Sequence, residues 1–296
     1  MNELPISPQI QVLPGREALV GALSVRRTLP TRGRRTVGSW CFVDHMGPAQ
    51  LDPEISVDVA PHPHIGLQTV TWLFSGEFLH KDSLGSEQLI SPGQLNLMGA
   101  GNGVVHAEED PNYHRGTLHG MQLWLAQPES TRKSPSTFQH LPSVPRFEIG
   151  NASGQVIVGR FADQQSPALL DTPTVGVELN LRYGPTILPL EKSFEYALVV
   201  AEGAVLVEGK VVAPGALAYL GSTRDEIALE VTEPTRVVLL GGEPLQEKLL
   251  MWWNFVARTQ EEISAAYQDW VSNDERFGAV NSQFERIPVT PPIWFK

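Results

Sequence analysis

The sequence is short of cysteine and of positive charge, and each shortage excludes a class of protein. Cys41 is the only cysteine among 296 residues, so the chain forms neither an intramolecular disulfide nor a cysteine-rich zinc or iron–sulfur site. Lysine and arginine number 22 against 33 aspartates and glutamates, which gives a formal charge of -11. Such a charge disfavours nucleic acid and anionic membranes as direct ligands.

Long hydrophobic runs are also missing. No stretch approaches about 18 uninterrupted apolar residues, and the start MNELPISPQI lacks the basic and apolar segments of a secretion signal. We therefore expect no membrane span and a cytoplasmic location, or a nuclear one if the source is a eukaryote.

Histidine is absent beyond His140. The eight histidines lie at positions 45, 62, 64, 80, 106, 114, 119 and 140. Histidine chemistry is therefore predicted only in the first half of the chain.

The distribution of turn residues predicts an all-β fold with a repeated domain. Between residues 20 and 126, short β-prone stretches such as TVTWLF at 69–74 alternate with glycine and proline, as in an antiparallel sandwich or barrel. A later block repeats this order, since YALVVAE precedes Gly203 and PGALAYLG at 214–221 parallels PGQLNLMG at 92–99. Duplication is favoured over a chance likeness of two hairpins.

One amphipathic helix is predicted near the C-terminus, over residues 258–272. Thr259 and Glu262 have the spacing of a capping box. The apolar stripe predicted to face a core comprises Ile263, Ala266, Tyr267, Trp270 and Val271.

Two short motifs carry the candidate chemistry. Side chains two residues apart on a strand point the same way, so His62 and His64 share a face, as do His106 and Glu108. If their strands are neighbours, three imidazoles and one carboxylate converge. Either motif alone is more often structural, but the two together in one β-domain favour a metal site.

Three imidazoles and one carboxylate suit iron(II), manganese, nickel, copper or zinc better than calcium or magnesium, which prefer oxygen ligands. With a divalent ion the site carries a net charge of about +1, which favours an enolate, phenolate or carboxylate ligand.

The segments HPHIGLQTVTWLFSGEFLHKDSLG (62–85) and PGQLNLMGAGNGVVHAE (92–108) closely resemble the signature of the pirin family, a branch of the cupin superfamily. The flanking segments RRTVG (34–38), FVDHMGP (42–48), GEPL (242–245) and WWNF (252–255) are similar to that family as well. The resemblance spans most of the chain.

The resemblance implies a bicupin, with two tandem cupin-type β-barrels and a C-terminal helix. It implies a metal-binding domain over residues 1–135, a connection over 136–170 and a metal-free domain with the closing helix over 171–296. It also implies that His62, His64, His106 and Glu108 bind one metal, most often Fe(II), with manganese, nickel, cobalt, copper and zinc as alternatives. Glu230 is then expected to be a solvated strand charge.

The chain departs from the family at three positions beside the first histidine pair. Ile65, Leu67 and Gln68 stand where pirins usually have arginine, an aromatic residue and glutamate. None of these is a ligand position, so the departures bear on substrate preference and redox tuning rather than on metal binding.

The remaining candidates are predicted to be mainly structural. Five arginines at 26, 27, 32, 34 and 35 are expected to form a solvated, ion-paired turn, with an anion or partner site as the alternative. Structural or surface roles are expected for His45, His80, His114, His119 and His140, although His119 and Met121 could line the metal pocket. Trp40, Trp72 and Trp124 are expected in the core or as walls for a planar ligand.

The resemblance supports two functions. Several pirin-like bicupins resemble quercetin 2,3-dioxygenases, which implies ring cleavage of a flavonol or related enol with O2 and Glu108 as the base that accepts the substrate proton. Other pirins are metal-dependent regulators, which implies a protein partner such as a transcription factor or metabolic enzyme. A different small-molecule cupin reaction at the same site is a third possibility, because the fold does not select the chemistry.

Overall fold

The computed structural model describes residues 9–52, 54, 57–111 and 115–295, and most regular structure in them is β-strand. The strands up to residue 126 are β1 (Gln11–Pro14), β2 (Arg16–Val20), β3 (Leu23–Leu29), β4 (Trp40–Gln50), β5 (Val59–His64), β6 (Leu67–Ser75), β7 (Phe78–Asp82), β8 (Glu87–Ile90), β9 (Leu95–Gly99), β10 (Val104–Glu109) and β11 (Thr117–Ala126).

The next strands are β12 (Thr137–Leu141), β13 (Arg146–Ile149), β14 (Ala152–Val158), β15 (Arg160–Phe161), β16 (Gln164–Gln165), β17 (Thr174–Leu181) and β18 (Gly184–Pro189). The remaining elements are β19 (Glu195–Glu202), β20 (Val205–Val207), β21 (Lys210–Val212), β22 (Ala216–Ser222), β23 (Glu226–Val231), β24 (Thr235–Gly242), β25 (Leu250–Trp252), β26 (Phe255–Ala257) and the helix α1 (Gln260–Val271). The all-β fold with one C-terminal helix is confirmed.

The chain forms two compact units that interleave along the sequence. The first cupin unit comprises Glu17–Val25, Met46–Ser143 and the chain from Gln246 onward. The second cupin unit comprises the chain up to Arg16, Arg26–His45 and Val144–Leu245. The predicted domain boundaries divide the chain linearly, at residues 135 and 170, and they stay a prediction. The span 136–170 contains β12 to β16, and α1 belongs to the unit that carries the histidine motifs.

The strand order supports a duplicated cupin fold. One seven-stranded sheet has the order β12-β9-β6-β11-β4-β3-β2, and the other has β1-β22-β19-β24-β17-β14-β13. Two four-stranded sheets repeat as well, with the orders β5-β10-β7-β8 and β18-β23-β20-β21. The strands of these four sheets therefore correspond one to one, except that β1 takes in one sheet the edge position that β12 takes in the other; β15, β16, β25 and β26 form two separate two-stranded sheets. A seven-stranded and a four-stranded sheet together give the two-sheet jelly-roll form of a cupin.

The repeated turns explain why the sequence shows the duplication. Gly76 and Gly203 have φ of 83° and 73° at corresponding hairpins, and Gly93 and Gly215 have φ of 82° and 90° after the prolines. Positive φ is a conformation that glycine adopts without steric cost. The same residue type is therefore kept at the same turn in both units.

The second cupin unit is closed by an apolar core. Inward-facing residues of the four-stranded sheet, including Leu188 on β18 and Ile227 and Leu229 on β23, are buried in one cluster with residues of the seven-stranded sheet. Glu230, between the buried positions of β23, is exposed as expected.

The helix α1 forms as its sequence predicts. Thr259 is the N-cap, and its hydroxyl accepts a hydrogen bond from the Glu262 N–H at 3.2 Å. The Glu262 carboxylate accepts a hydrogen bond from the N–H of Arg258 at 2.8 Å. In a capping box this return bond goes to the N–H of the N-cap residue, and here it goes to the residue just before the N-cap. Val271 was predicted in the apolar stripe but is 50% exposed, because it lies in the last helical position, at the edge of the packed face.

The buried face of α1 packs against the histidine-bearing strands. Ile263, Ala266 and Trp270 share an apolar cluster with Ile65, which follows β5, and with Val105 on β10. Within the described residues, α1 is too short and too polar to cross a membrane.

Candidate metal centre

The three histidines of the two motifs meet on neighbouring strands of the first cupin unit. Strands β5 and β10 pair antiparallel, with His106 directly opposite His62 and Val104 opposite His64. His62, His64 and His106 therefore lie on the same face of adjacent strands, as the alternation of side chains predicts. All three imidazoles are buried.

The imidazoles are close enough to share one ion. One ring nitrogen from each lies within 4.8 Å of the others, and Nε2 of His64 is 3.1 Å from Nε2 of His106. A metal with bonds to nitrogen of about 2.0–2.1 Å places two ligand nitrogens about 2.9 to 3.4 Å apart for right-angled to tetrahedral arrangements. The observed spacing therefore fits two ligands of the same ion.

Hydrogen bonds at the far side of two rings fix which nitrogen is available. Nδ1 of His62 donates to the carbonyl oxygen of Ala60 at 2.9 Å, and Nδ1 of His64 donates to that of Asn254 at 3.0 Å. With the proton on Nδ1, the Nε2 lone pair is free to bind a metal.

Burial keeps these imidazoles neutral. Desolvation lowers the pKa of His62 to about 4 and holds the pKa of His64 and of His106 well below the ordinary value. A neutral imidazole is the form that binds metals, so the three rings suit a divalent ion at neutral pH.

Glu108 lies beside the histidine triad but is not part of the close cluster of ligand atoms. It follows His106 on β10, with a register irregularity between them, and it lies opposite His80 on β7. Its Oε1 accepts a hydrogen bond from the Thr71 hydroxyl at 3.3 Å. Burial raises the pKa of this carboxyl, so its ionised form needs a nearby cation. Its role as a ligand stays a prediction.

Sequence reasoning missed His80, which it assigned to a structural or surface role. Nδ1 of His80 lies 3.4 Å from Nδ1 of His106, and Nε2 of His80 donates to Oδ2 of Asp82 at 3.0 Å. Phe138 stacks on the His80 ring, with centroids 4.5 Å apart and planes inclined by 11°. The segment His80-Lys81-Asp82 has the same alternating spacing as His62-Pro63-His64, and that spacing could have identified it.

The hydrogen bonds that link Asp82, His80 and His106 bear on the tautomers of the two histidines. Because a carboxylate only accepts, the neutral form of His80 carries its proton on Nε2, toward Asp82, and its Nδ1 lone pair faces His106. His106 then donates its Nδ1–H to His80, which leaves Nε2 of His106 for the ion. Asp82 and His80 thus orient His106 as outer carboxylate–histidine pairs orient metal ligands.

Ile65 explains one departure from the pirin signature. It replaces the usual arginine, and it packs with Phe255 and Ile263 in the apolar cluster below α1. A charge buried in this apolar cluster would cost free energy unless it were paired. Leu67 and Gln68, the other two departures, are buried on β6.

Of the side chains considered as possible walls of the metal pocket, one lies directly beside the histidine triad. The Trp124 ring meets the His64 ring edge to face at 5.0 Å, so this tryptophan lines the site. His119 instead packs edge to face on Phe74 at 4.8 Å, and Met121 is fully buried on the same strand. Trp40 lies in the second cupin unit, where its indole N–H is shared by the carbonyls of Val175 and Gly241.

The remaining histidines have structural surroundings. Nδ1 of His45 is 3.3 Å from the Arg26 guanidinium, and Nδ1 of His140 donates to the Asn96 side-chain oxygen at 2.8 Å. Trp72 is fully buried in the core, as expected. His114 lies outside the described residues.

The repeated jelly roll and the buried histidine triad define a bicupin with, among the described residues, one candidate site for a divalent metal. Family models agree with this class: the pirin model matches residues 22–125, and the pirin C-terminal cupin domain matches residues 176–278. The chain belongs to the pirin family.

Comparison with individual proteins points the same way. A Pseudomonas aeruginosa protein provisionally named a quercetin 2,3-dioxygenase is 42% identical, over 93% of this chain and 87% of the relative. A pirin-like protein of Caulobacter vibrioides is 36% identical, over 88% of this chain and 92% of the relative. The crystal structure of quercetin 2,3-dioxygenase from Acinetobacter baumannii has a TM-score of 0.91 at 40% identity, covering 95% of this chain and 96% of that one.

Proposed function

We propose that the protein is a metal-dependent dioxygenase that uses O2 to cleave the ring of a flavonol or a related enol, as in quercetin 2,3-dioxygenases. The observation that carries the proposal is the buried, neutral histidine triad with two Nε2 atoms 3.1 Å apart. Two relatives whose names give quercetin 2,3-dioxygenase, one of them provisionally, are 42% and 40% identical to it over 93% and 95% of this chain.

We further propose that His62, His64, His106 and Glu108 hold one metal, with Fe(II) favoured and manganese, nickel, cobalt, copper and zinc as alternatives. A bound divalent ion supplies a Lewis-acidic centre and, if it is redox-active, an electron partner for O2. The three rings are neutral and the carboxylate carries one negative charge, so the local charge with the ion is about +1. An acidic enol or flavonol hydroxyl is therefore favoured over a neutral substrate.

Glu108 is the proposed base for that hydroxyl. Burial raises the pKa of its carboxyl, and a carboxylate with a raised pKa accepts a proton more readily. The Thr71 hydroxyl bonded to Oε1 holds the carboxylate in place. The Trp124 ring beside His64 offers an apolar surface to a planar substrate. Cys41 is buried and forms no disulfide, which suits a reducing compartment, and the cytoplasm is the proposed location.

Single-metal reconstitution tests the proposal. Protein stripped of metal is loaded anaerobically with iron, manganese, nickel, cobalt, copper or zinc, then mixed with quercetin and O2. We expect loss of the flavonol absorbance with matching O2 uptake for at least one metal, and loss of both in His106→Ala. His140→Ala is the matched control, because His140 bonds Asn96 rather than the triad. Absence of turnover with all six metals would refute the enzymatic proposal.

A metal-dependent regulatory protein is the second candidate. In the second cupin unit, apolar residues such as Leu188 and Leu229 fill the inward positions of β18 and β23. These positions offer no metal ligands, so a role other than catalysis would explain why the protein keeps this unit. Affinity capture with metal-loaded and metal-free protein separates the two candidates. Partners that bind equally to both forms, or none at all, would contradict regulation through the metal.

A further inference from the structure

A second candidate binding site lies in the second cupin unit and is built from arginines. A cavity of about 710 Å³ is lined by Leu13, Pro14, Arg16, Arg27, Pro30, Thr31, Arg32, Gly33 and Arg35. Four of these nine residues are arginine and none is acidic. This concentration of positive charge occurs in a chain whose formal charge is -11.

The structure divides the arginines of this region into two groups. Arg27 donates to both oxygens of Asp44 at 2.7 Å each, and Arg34 lies 3.3 Å above the Tyr219 ring and 3.5 Å from the Glu195 carboxylate. These two are ion-paired, as the sequence predicts. By contrast, Arg16, Arg32 and Arg35 are exposed and form no ion pair within 4 Å among the described residues, although the charge of Arg16 is near enough to Asp44 to favour the ionised carboxylate.

The segment that carries two of the unpaired arginines is held firmly. The Thr31 hydroxyl accepts hydrogen bonds from the N–H of Gly33 at 3.1 Å and of Arg34 at 3.2 Å, and the Thr31 N–H donates to the Arg34 carbonyl at 2.8 Å. The anchored Arg34 side chain fixes the turn from its far end. Arg32 and Arg35 therefore extend from an ordered turn rather than from a loose loop.

Arg16 reaches the same cavity from a different segment. The Gly15 N–H donates to the Gly215 carbonyl at 2.7 Å, and a Cβ added at Gly15 would come 2.7 Å from that oxygen. This close backbone approach fixes the chain immediately before Arg16. Two separately anchored segments thus direct unpaired guanidinium groups to one cavity.

We propose that this cavity binds a compact anion that carries two or more phosphate or carboxylate groups. Guanidinium forks match the geometry of both groups and bind them in bidentate fashion. The cavity has the volume of small-molecule sites, which span about 300 to 1,000 Å³. Because the arginines come from two segments, an anion with several charged groups can engage both, whereas a single small ion engages one.

Calorimetric titration at low ionic strength tests the proposal with inorganic triphosphate and with citrate as separate probes. We expect one equivalent of at least one probe to bind, and the better probe indicates whether phosphate or carboxylate is preferred. The double variant Arg32→Gln/Arg35→Gln should weaken binding at least 10-fold. Arg115→Gln/Arg182→Gln changes the net charge equally at exposed positions outside the cavity, so it should change affinity less than 3-fold.

A probe could also bind by chelating a metal held at the histidine triad. Heat from such chelation would appear in both double variants and be absent in His106→Ala, which distinguishes it from binding of the probe at the arginines. The proposal is overturned if neither probe binds more tightly than about 1 mM, or if the two double variants weaken binding to the same extent. Neither result depends on whether the protein cleaves flavonols.

Discussion

The row Asp82–His80–His106 makes Asp82→Asn the most informative substitution near the metal centre. Oδ1 of Asp82 accepts hydrogen bonds from the N–H of Leu84 at 2.9 Å and of Ser86 at 3.0 Å, and an asparagine oxygen keeps both. The other atom that faces Nε2 of His80 becomes an NH2 group. It donates where the carboxylate accepted, so His80 must move its proton from Nε2 to Nδ1.

This reversal passes to His106. With a proton on Nδ1, His80 no longer accepts from His106 across the 3.4 Å contact, and His106 is driven to carry its own proton on Nε2. That nitrogen is the one that faces Nε2 of His64. Loss of an outer-sphere partner costs about 10- to 100-fold in metal affinity, which is about 1.4 to 2.7 kcal/mol. We expect Asp82→Asn to fall in this range.

Competition of cobalt(II) between the protein and a coloured chelator measures the effect. Asp58→Asn is the matched control, because Asp58 also accepts a backbone N–H, from Asp110 at 2.7 Å, and contacts neither the histidine triad nor His80. Thermal unfolding of the metal-free Asp82→Asn protein should change little, since the turn bonds remain.

A double-mutant cycle with His80→Phe tests whether Asp82 affects metal affinity through its hydrogen bond to His80 or by disturbing the surrounding structure directly. Phenylalanine retains the stacking on Phe138 but cannot pass on a hydrogen bond. Asp82→Asn should therefore cost no further affinity in the His80→Phe background. Unchanged affinity of the single Asp82→Asn variant, or fully additive losses in the double variant, would refute the reasoning.

Two further predictions concern stability. In metal-free protein, His62 has a pKa of about 4 when folded and about 6.5 when unfolded, so the unfolded chain binds more protons as the pH falls between these values. The free energy of unfolding should therefore fall as the pH drops below 6.5, by about 3 kcal/mol from His62 alone once the pH is below 4. Urea unfolding across this pH range measures the change. If the free energy of unfolding of His62→Gln depended on pH just as steeply, the prediction would be wrong. Gly66 has φ of 67°, and an added Cβ would come 2.1 Å from the Val256 carbonyl oxygen, whereas Gly85, with φ of 88°, has no atom within 4 Å. Gly66→Ala should thus cost about 3 kcal/mol and Gly85→Ala about 1 kcal/mol in urea unfolding, and equal costs would show that the close approach is unimportant.

Local sequence rules predicted those features that depend on neighbouring residues. Side-chain alternation placed His62 and His64 on one face, glycine at positive φ marked the repeated turns, and residue type at the N-cap located the start of α1. The pairing of β5 with β10 was a conditional prediction, since strand order depends on contacts between distant segments.

The features that were missed depend on that long-range pairing. His80 joins the centre because β7 lies on the other side of β10, which puts His80 opposite Glu108. Strand β1 completes a sheet by pairing with β22, about 200 residues later, so part of the second cupin unit comes from the start of the chain. The unpaired state of Arg16, Arg32 and Arg35 also depends on which carboxylates the fold brings near them, and composition does not report this.

The two cupin units share one strand order but differ in the side chains that fill their interiors. In the second, the inward positions of β18 and β23 hold apolar side chains such as Leu188 and Leu229, whose burial stabilises the unit without a ligand. In the first, β5 and β10 hold three buried neutral imidazoles, whose ring nitrogens a cation can bind, and a carboxyl with a raised pKa, whose ionised form costs free energy to bury without a cation. Metal bound only to the folded state therefore stabilises the first unit in proportion to its affinity, since binding shifts the unfolding equilibrium by RT ln(1 + [L]/Kd). Loss of metal should loosen the first unit, including the packing of α1 on Ile65 and Val105, before it affects the apolar core of the second.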